Sequence, residues 1–240
     1  MTPLTPSDLP ELTGGFLAAP DLTPCLGGIL VRGRFDRAHF DPALFDRLAL
    51  PRPERLSRAV DKRLAEFLAG RALARLAQET LGHVAQPVGI AESRAPVWPA
   101  GLSGSISHAR GHCACLLLPA AAGQPGIDVE AIASGRALVS IEQIALSARD
   151  TAQLHASRLP FDVAATLCFS AKETLYKALF PTVRRFFGFE AAEVASPPDA
   201  RQIRLRLTED LHGSLPRGAV FDLTCEITGD SVLTWMCHPG

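Results

Sequence analysis

Neither sign of charge dominates this chain of 240 residues, in which 24 lysines and arginines face 25 aspartates and glutamates. The formal charge of -1 leaves no global field to draw in a nucleic acid or an anionic membrane, so electrostatic recognition must be local. Long apolar runs are also missing. The longest stretches, such as Cys113 to Ala122, fall far short of the roughly 20 residues a spanning helix needs. Asp8 and Glu11 sit among prolines near the N-terminus, without the basic and apolar regions of a secretory signal, so a cytoplasmic location is expected. The six cysteines form no C-x-x-C pair and have no histidine at zinc-finger spacing, which favours reduced, buried thiols. The G-x-x-x-x-G-K-[ST] and G-x-G-x-x-G phosphate loops and the hydrolase nucleophile elbow are absent, as is any repeat of period 20 to 50.

What remains is an ordinary globular composition, 47% apolar and 20% charged, able to bury a core. The first 25 residues lack a sustained period and read as an irregular lead-in, followed by a short strand from Leu26 to Val31. From Glu54 to Leu81, Val60, Leu64, Phe67, Leu68, Ala72 and Leu76 recur at helical spacing, with Gly82 as a stop. After a Pro- and Gly-rich loop, strands are expected at Ser105 to Ser107, Cys113 to Leu118 and Gln124 to Glu130. A second long helix runs from Phe161 to Leu179 and ends at Pro181, and strands at Ile203 to Leu207, Phe221 to Ile227 and Val232 to Met236 close the chain. Strands interrupted by two long helices, without strict alternation, predict an α+β fold. The Pro-Ala-Ala-Ala-Gly-Gln-Pro stretch at 119–125 suggests two halves, residues 1–120 and 121–240.

Asp128 and Glu130 lie two residues apart, hence on one strand face, where they form either a solvated edge or two ligands of a hard cation. Glu173 is the third carboxylate candidate. It shares a helix face with Lys177, as a surface ion pair would, and Ser170-x-x-Glu173 also has the form of a capping box. The apolar period through Val163, Leu167, Ala171 and Leu175 puts Ser170 inside the helix, so the cap is disfavoured and Glu173 is left for other work. Arg63 and Arg71 are eight residues apart, about 80° around the first helix and about 12 Å along it, flanking a strip that suits a phosphomonoester. Ser107-His108 closes a strand, where the imidazole is either a satisfied structural group or a donor to phosphate.

Taken in order, Gly126-Ile127-Asp128-Val129-Glu130 and Phe169-Ser170-Ala171-Lys172-Glu173 with Lys177 resemble the two signature motifs of the 4′-phosphopantetheinyl transferase superfamily. Glu66 to Arg71, Arg94 to Gly101, Gly104 to His108, Tyr176 to Pro181 and Gly188 to Glu190 extend the resemblance. These are similar to the group typified by enterobactin synthetase component D, the larger monomeric, surfactin-type class.

The resemblance implies a pseudo-twofold pair of similar α+β halves, with the active site and coenzyme A in the cleft between them. The N-terminal half would hold the 3′-phosphate and adenine side and the C-terminal half the magnesium and catalytic motifs. It implies transfer of 4′-phosphopantetheine from coenzyme A to a serine of an acyl, peptidyl or aryl carrier protein, with a tilt toward siderophore synthesis. Asp128, Glu130 and Glu173 would hold Mg²⁺, and Lys172 and Lys177 phosphate or pantetheine oxygens. Ser107 and His108 would bind coenzyme A, His108 by donating to the pyrophosphate, and Arg63 and Arg71 would hold the 3′-phosphate. Glu173 is the first choice of general base and Asp150 the second. Relatives often carry a lysine before the Trp-Pro segment, and Arg94 is its stand-in here. Arg184-Arg185-Phe186-Phe187 is either a docking face for an acidic carrier or part of the core. Two other readings remain, a magnesium-dependent coenzyme A pyrophosphatase and a non-catalytic coenzyme A-binding module.

Overall fold

A computed structural model describes residues 4–239, and the chain divides into two compact units, Met1–Gly123 and Gln124–Gly240. The first unit begins with helix α1 (Leu9–Leu12), strands β1 (Asp21–Cys25) and β2 (Gly28–Arg34), and helix α2 (Leu44–Arg47). Helix α3 (Asp61–Thr80), the two-residue strands β3 (Gly89–Ile90) and β4 (Pro96–Val97), β5 (Leu102–Ala109) and β6 (His112–Pro119) complete it. Four strands form an antiparallel sheet in the order β1-β2-β6-β5, and β3 and β4 pair separately. Helix α3 buries Leu64, Phe67, Leu68, Leu73 and Leu76 against this sheet and against Phe16, Phe35, Phe45 and Leu48. Such burial stabilises by about 1.5–3 kcal/mol per large side chain.

Strand β7 (Gln124–Ala131), helices α4 (Arg136–Ala145), α5 (Ala148–His155) and α6 (Phe161–Val183), and strands β8 (Ala192–Val194), β9 (Gln202–Leu207), β10 (Val220–Ile227) and β11 (Ser231–His238) make up the second unit. The sheet order is β7-β11-β10-β9-β8, antiparallel throughout. Helix α6 packs on it through Leu167, Ala171, Leu175, Ala178 and Leu179, which meet Ile203, Leu205, Leu207, Leu223 and Met236. Each unit is thus one long helix on an antiparallel sheet, the α+β class expected. Among the described residues no helix is long and apolar enough to cross a membrane.

Several boundaries differ from the sequence reading. Helix α3 starts at Asp61, not Glu54, because Val60 is an extended N-cap that is 70% exposed and Glu54–Leu56 forms a separate 3-10 turn. Helix α6 runs through Pro181 to Val183 and stops at Arg184, which takes the left-handed conformation. A proline one turn from the end removes one backbone donor without breaking what precedes it. Strand β1 lies inside the stretch read as irregular, and α4 and α5 were not anticipated. Ser170 is inside α6 as anticipated, while a capping box occurs instead at Ser147 and Asp150, at the start of α5.

Candidate active site

In the second unit α6 comes unusually close to β7. A Cβ on Gly126 would collide with the carbonyl oxygen of Thr174 and lie 3.0 Å from Ala178 Cβ. This approach lets a ladder of hydroxyls tie helix to sheet. Thr174 and Thr234 hydroxyls are 2.6 Å apart, Ser170 and Thr234 hydroxyls 2.9 Å, and Ser170 Oγ donates to Asp128 O at 3.2 Å. One turn further, Lys177 Nζ donates to Ile127 O at 2.9 Å and to Asp128 Oδ1 at 2.7 Å. Asp128 is buried at the centre of this seam.

Glu173 occupies the same stretch of α6. Burial pushes its carboxyl above the ordinary carboxylate range, Lys177 pulls it down, and the Asp128 charge pushes it up again. Asp128, Glu173 and Lys177 therefore act on one another as a charge cluster. Glu130 shares the Asp128 face of β7 by strand alternation and is half-buried. Among the described residues no three His, Cys, Asp or Glu are gathered at metal-holding distance, so the expected carboxylate triad is not preassembled. Lys177, expected on phosphate, lies on Asp128 instead.

Beside Glu173 a hollow of about 200 Å³ opens, walled by Leu175, Tyr176, Phe186, Phe187 and Phe189, with Lys172 and Ala192 completing it. Tyr176 packs 4.9 Å from Phe187 and 6.0 Å from Phe186, ring centre to ring centre. Burial first, and then the Glu173 charge, raise the tyrosine hydroxyl above its usual pKa. Phe187 is core, whereas Phe186 is 78% exposed and is not.

In the first unit, Ile106 of β5 points at α3, where it would touch a Cβ on Gly70, and alternation puts His108 on that same face. Arg63 Nη1 donates to His108 Nε2 at 3.2 Å, and His108 Nδ1 lies 3.9 Å from Glu66 Oε2, which Arg63 also approaches at 3.7 Å. Because guanidinium only donates, Nε2 is the bare nitrogen in this arrangement. Arg71 donates to Val88 O at 2.9 Å and Gly89 O at 3.1 Å and covers the Phe67 ring at 4.6 Å. Among the described residues it has no carboxylate partner. Burial, with Arg63 adding to the fall, lowers its pKa to about 10, which leaves it protonated at neutral pH.

Two family models match the chain. One, described as the 4′-phosphopantetheinyl transferase N-terminal domain, covers residues 52–118, and the other, the 4′-phosphopantetheinyl transferase superfamily, covers residues 124–222. The enterobactin synthase component D of Salmonella typhi is 42% identical over 161 residues, 65% of this chain and 66% of that protein. The 4′-phosphopantetheinyl transferase Svp of Streptomyces mobaraensis is 36% identical over 176 residues, 70% of each chain. The chain belongs to the 4′-phosphopantetheinyl transferase superfamily. A further relative, the 4′-phosphopantetheinyl transferase Npt of Nocardia iowensis, is 36% identical over 157 residues, 62% of this chain and 67% of that protein. The chain spans about two thirds of the length of the enterobactin relatives it matches.

Against the family expectation, the structure brings together Asp128, Glu173 and Lys177 in one unit and Arg63 and His108 in the other, with Arg71 close enough to Arg63 to feel its charge. It does not bring Ser107 to His108's side. Alternation along β5 points Ser107 to the opposite face, where it is buried. Arg94 sits in the exposed β3–β4 turn in the left-handed conformation, φ 71°.

Lys172 and Asp150 need correction as groups that touch substrate. Lys172 Nζ is 2.7 Å from Asp150 Oδ2, 2.8 Å from Ala145 O and 3.1 Å from Phe189 O, which fills its three donors. Asp150 also accepts from Ser147 N at 2.8 Å and Val194 N at 2.6 Å and is fully buried. Lys172 has no donor left for a phosphate oxygen, and the fully buried Asp150 has no surface at which to meet a serine proton.

Three contributors were missed. Ser147-x-x-Asp150 is a capping-box sequence that local reading can find. Thr234 had no signal, because its partners on α6 are 60 or more residues away. Arg55 had none either, yet it donates to Ala91 O at 2.7 and 2.9 Å and so holds the β3–β4 turn.

Proposed function

We propose that this transferase moves the 4′-phosphopantetheine group of coenzyme A onto a serine hydroxyl of an apo carrier protein and releases 3′,5′-ADP. The observation that carries this is the coupled Asp128, Glu173 and Lys177 cluster lying within the stretch matched by the superfamily model. The serine oxygen bonds to the phosphorus that bears pantetheine, and the bond from that phosphorus to the bridging oxygen breaks. The serine proton passes to Glu173, directly or through one water, and the raised pKa of a half-buried carboxyl suits a base.

We assign Asp128, Glu130 and Glu173 to a magnesium ion. Two carboxylates that already repel one another, with a third on the same strand face, are the hard-oxygen donors such an ion takes. When bound, the ion supplies charge neutralisation at the pyrophosphate. Lys177, which now offsets Asp128, supplies a second cation. Arg63 and Arg71 are assigned to the 3′-phosphate, His108 to the pyrophosphate and Arg94 to the adenine side. The apolar hollow beside Glu173 suits the pantetheine chain. The enterobactin synthase name of several relatives favours a carrier of enterobactin-type siderophore assembly. We place the reaction in the cytoplasm, with the protein acting as a monomer.

The test is incubation of the protein with coenzyme A, Mg²⁺ and a panel of apo carriers, followed by mass analysis of each carrier and measurement of 3′,5′-ADP. Carrier-dependent release with the matching mass gain is expected. Release that ignores the carrier means a pyrophosphatase, and no release at all means a binding module. Asp128→Ala is expected to raise the Mg²⁺ concentration for half-maximal rate by at least about tenfold, as loss of a direct ligand should. An unchanged magnesium dependence removes Asp128 from the metal site.

A further inference from the structure

The proposed function leaves a buried ion pair without a chemical task. Lys172 is the residue before Glu173, and its ammonium is shared among the last carbonyl of α4, the Asp150 carboxylate of α5 and the carbonyl of Phe189. The carboxylate reaches on to Val194 N, at the edge strand β8, and closes the cap of α5 through Ser147 N. Five segments therefore converge on one pair, with side chains 3% and 0% exposed.

Burying two charges costs about as much as their attraction returns, so such a pair is weak evidence for stability. What it does supply is direction. An ammonium with three fixed acceptors on three elements lets α6 take only one rotation about its axis at residue 172. Glu173 follows about 100° further around that helix, so its aim is set by the same anchor. Lys172, Phe189 and Ala192 also wall the hollow beside Glu173, which makes its shape depend on the same bonds.

We propose that Lys172 and Asp150 are positioning residues, a buried clamp that holds α6 so that Glu173 faces the reacting serine and the aromatic hollow stays open beside it. This rests on the transferase reading. It departs from a substrate role for either group, since Lys172 has no donor left to offer and Asp150 has no surface open to a substrate.

The test compares Lys172→Met, Asp150→Asn and the double variant with the parent, using coenzyme A and an apo carrier. Each single variant is expected to lower kcat by about a hundredfold, the cost of a small misplacement of a reacting group, while KM for coenzyme A stays within about threefold. The double variant removes the unpaired buried charge that each single leaves, and should recover at least about tenfold over the slower single. A double as slow as the slower single, or a KM for coenzyme A that rises in step with the loss for Lys172→Met, overturns the clamp in favour of direct contact.

If a single variant does not fold, the double decides alone. A kcat about threefold to a hundredfold below the parent's supports positioning, and either parental kcat or a larger loss overturns it. A second readout needs no turnover, because the chain has one tyrosine, Tyr176, and it lines the hollow. With ¹³C-labelled tyrosine, its resonance should move in the singles and return toward the parent in the double. An unmoved resonance in folded single variants sinks the proposal even if the protein transfers nothing. Absence of transfer by the parent itself sinks the transferase reading instead.

Discussion

Glu173→Gln is expected to cut carrier modification by about 10² to 10⁴-fold, the range a positioned general base contributes. Glutamine has the same shape and leaves the hydroxyl ladder of Ser170, Thr174 and Thr234 in place, so the loss should fall on kcat with the fold unaltered. The same change should stabilise the metal-free protein at neutral pH. Burial and the Asp128 charge hold the Glu173 pKa above its unfolded value, so the ionised native form pays for its charge and glutamine does not. The sign follows from linkage. Below the unfolded carboxylate pKa both states are protonated and the variant gains nothing, and the gain grows as pH rises through the raised native pKa. Thermal melting without divalent cations at neutral and acid pH measures this. Full transfer activity in Glu173→Gln, or a lower melting temperature than the parent at neutral pH, contradicts the assignment.

Gly126→Ala is expected to be the most damaging single methyl in the second unit. Gly126 is not among the residues with positive φ, so what the site needs is space. A Cβ there would fall within the contact radius of the Thr174 carbonyl oxygen, and Ala178 N and Cβ at 3.0 Å leave no room for a shift along α6. Overpacking ordinarily costs about 1–3 kcal/mol. Here the obstacle is the backbone of α6 itself, which cannot swing aside as a side chain can, so about 3 kcal/mol or more is expected, lowering the melting temperature by roughly 6–12 °C at about 2–4 °C per kcal/mol. Separating α6 from β7 would also break Lys177 from Asp128, so activity should fall with stability. Gly229→Ala is the control, since nothing lies within 4 Å of the added methyl. Equal melting of the two variants would show that the helix and strand are not held at the distance described.

The legible parts were those with a local period or a short motif. Helix α6 and strands β9, β10 and β11 follow from apolar spacing, because one face of each is buried in a single core, and β7 follows from the alternation of the buried Ile127 and Val129. The start of α3 was misread, because Val60 has the right spacing but lies outside the helix, exposed. Asp128, Glu173 and Lys177 were found by motif, and Arg63 and His108 by position on a helix and at a strand end.

From the order of residues alone came the α+β class, through periodicity along the chain, and the family with its candidate carboxylates, through short motifs that resemble it. Tertiary structure decided what each charged group touches. Lys172 and Lys177 are five residues apart on one helix, yet one is sealed against Asp150 and the other faces Asp128. No local pattern separates them, because their partners lie 22 and 49 residues away and are reached only when α6 lands on its sheet. A lysine's role is set by the acceptors around its nitrogen, and folding alone brings those acceptors there.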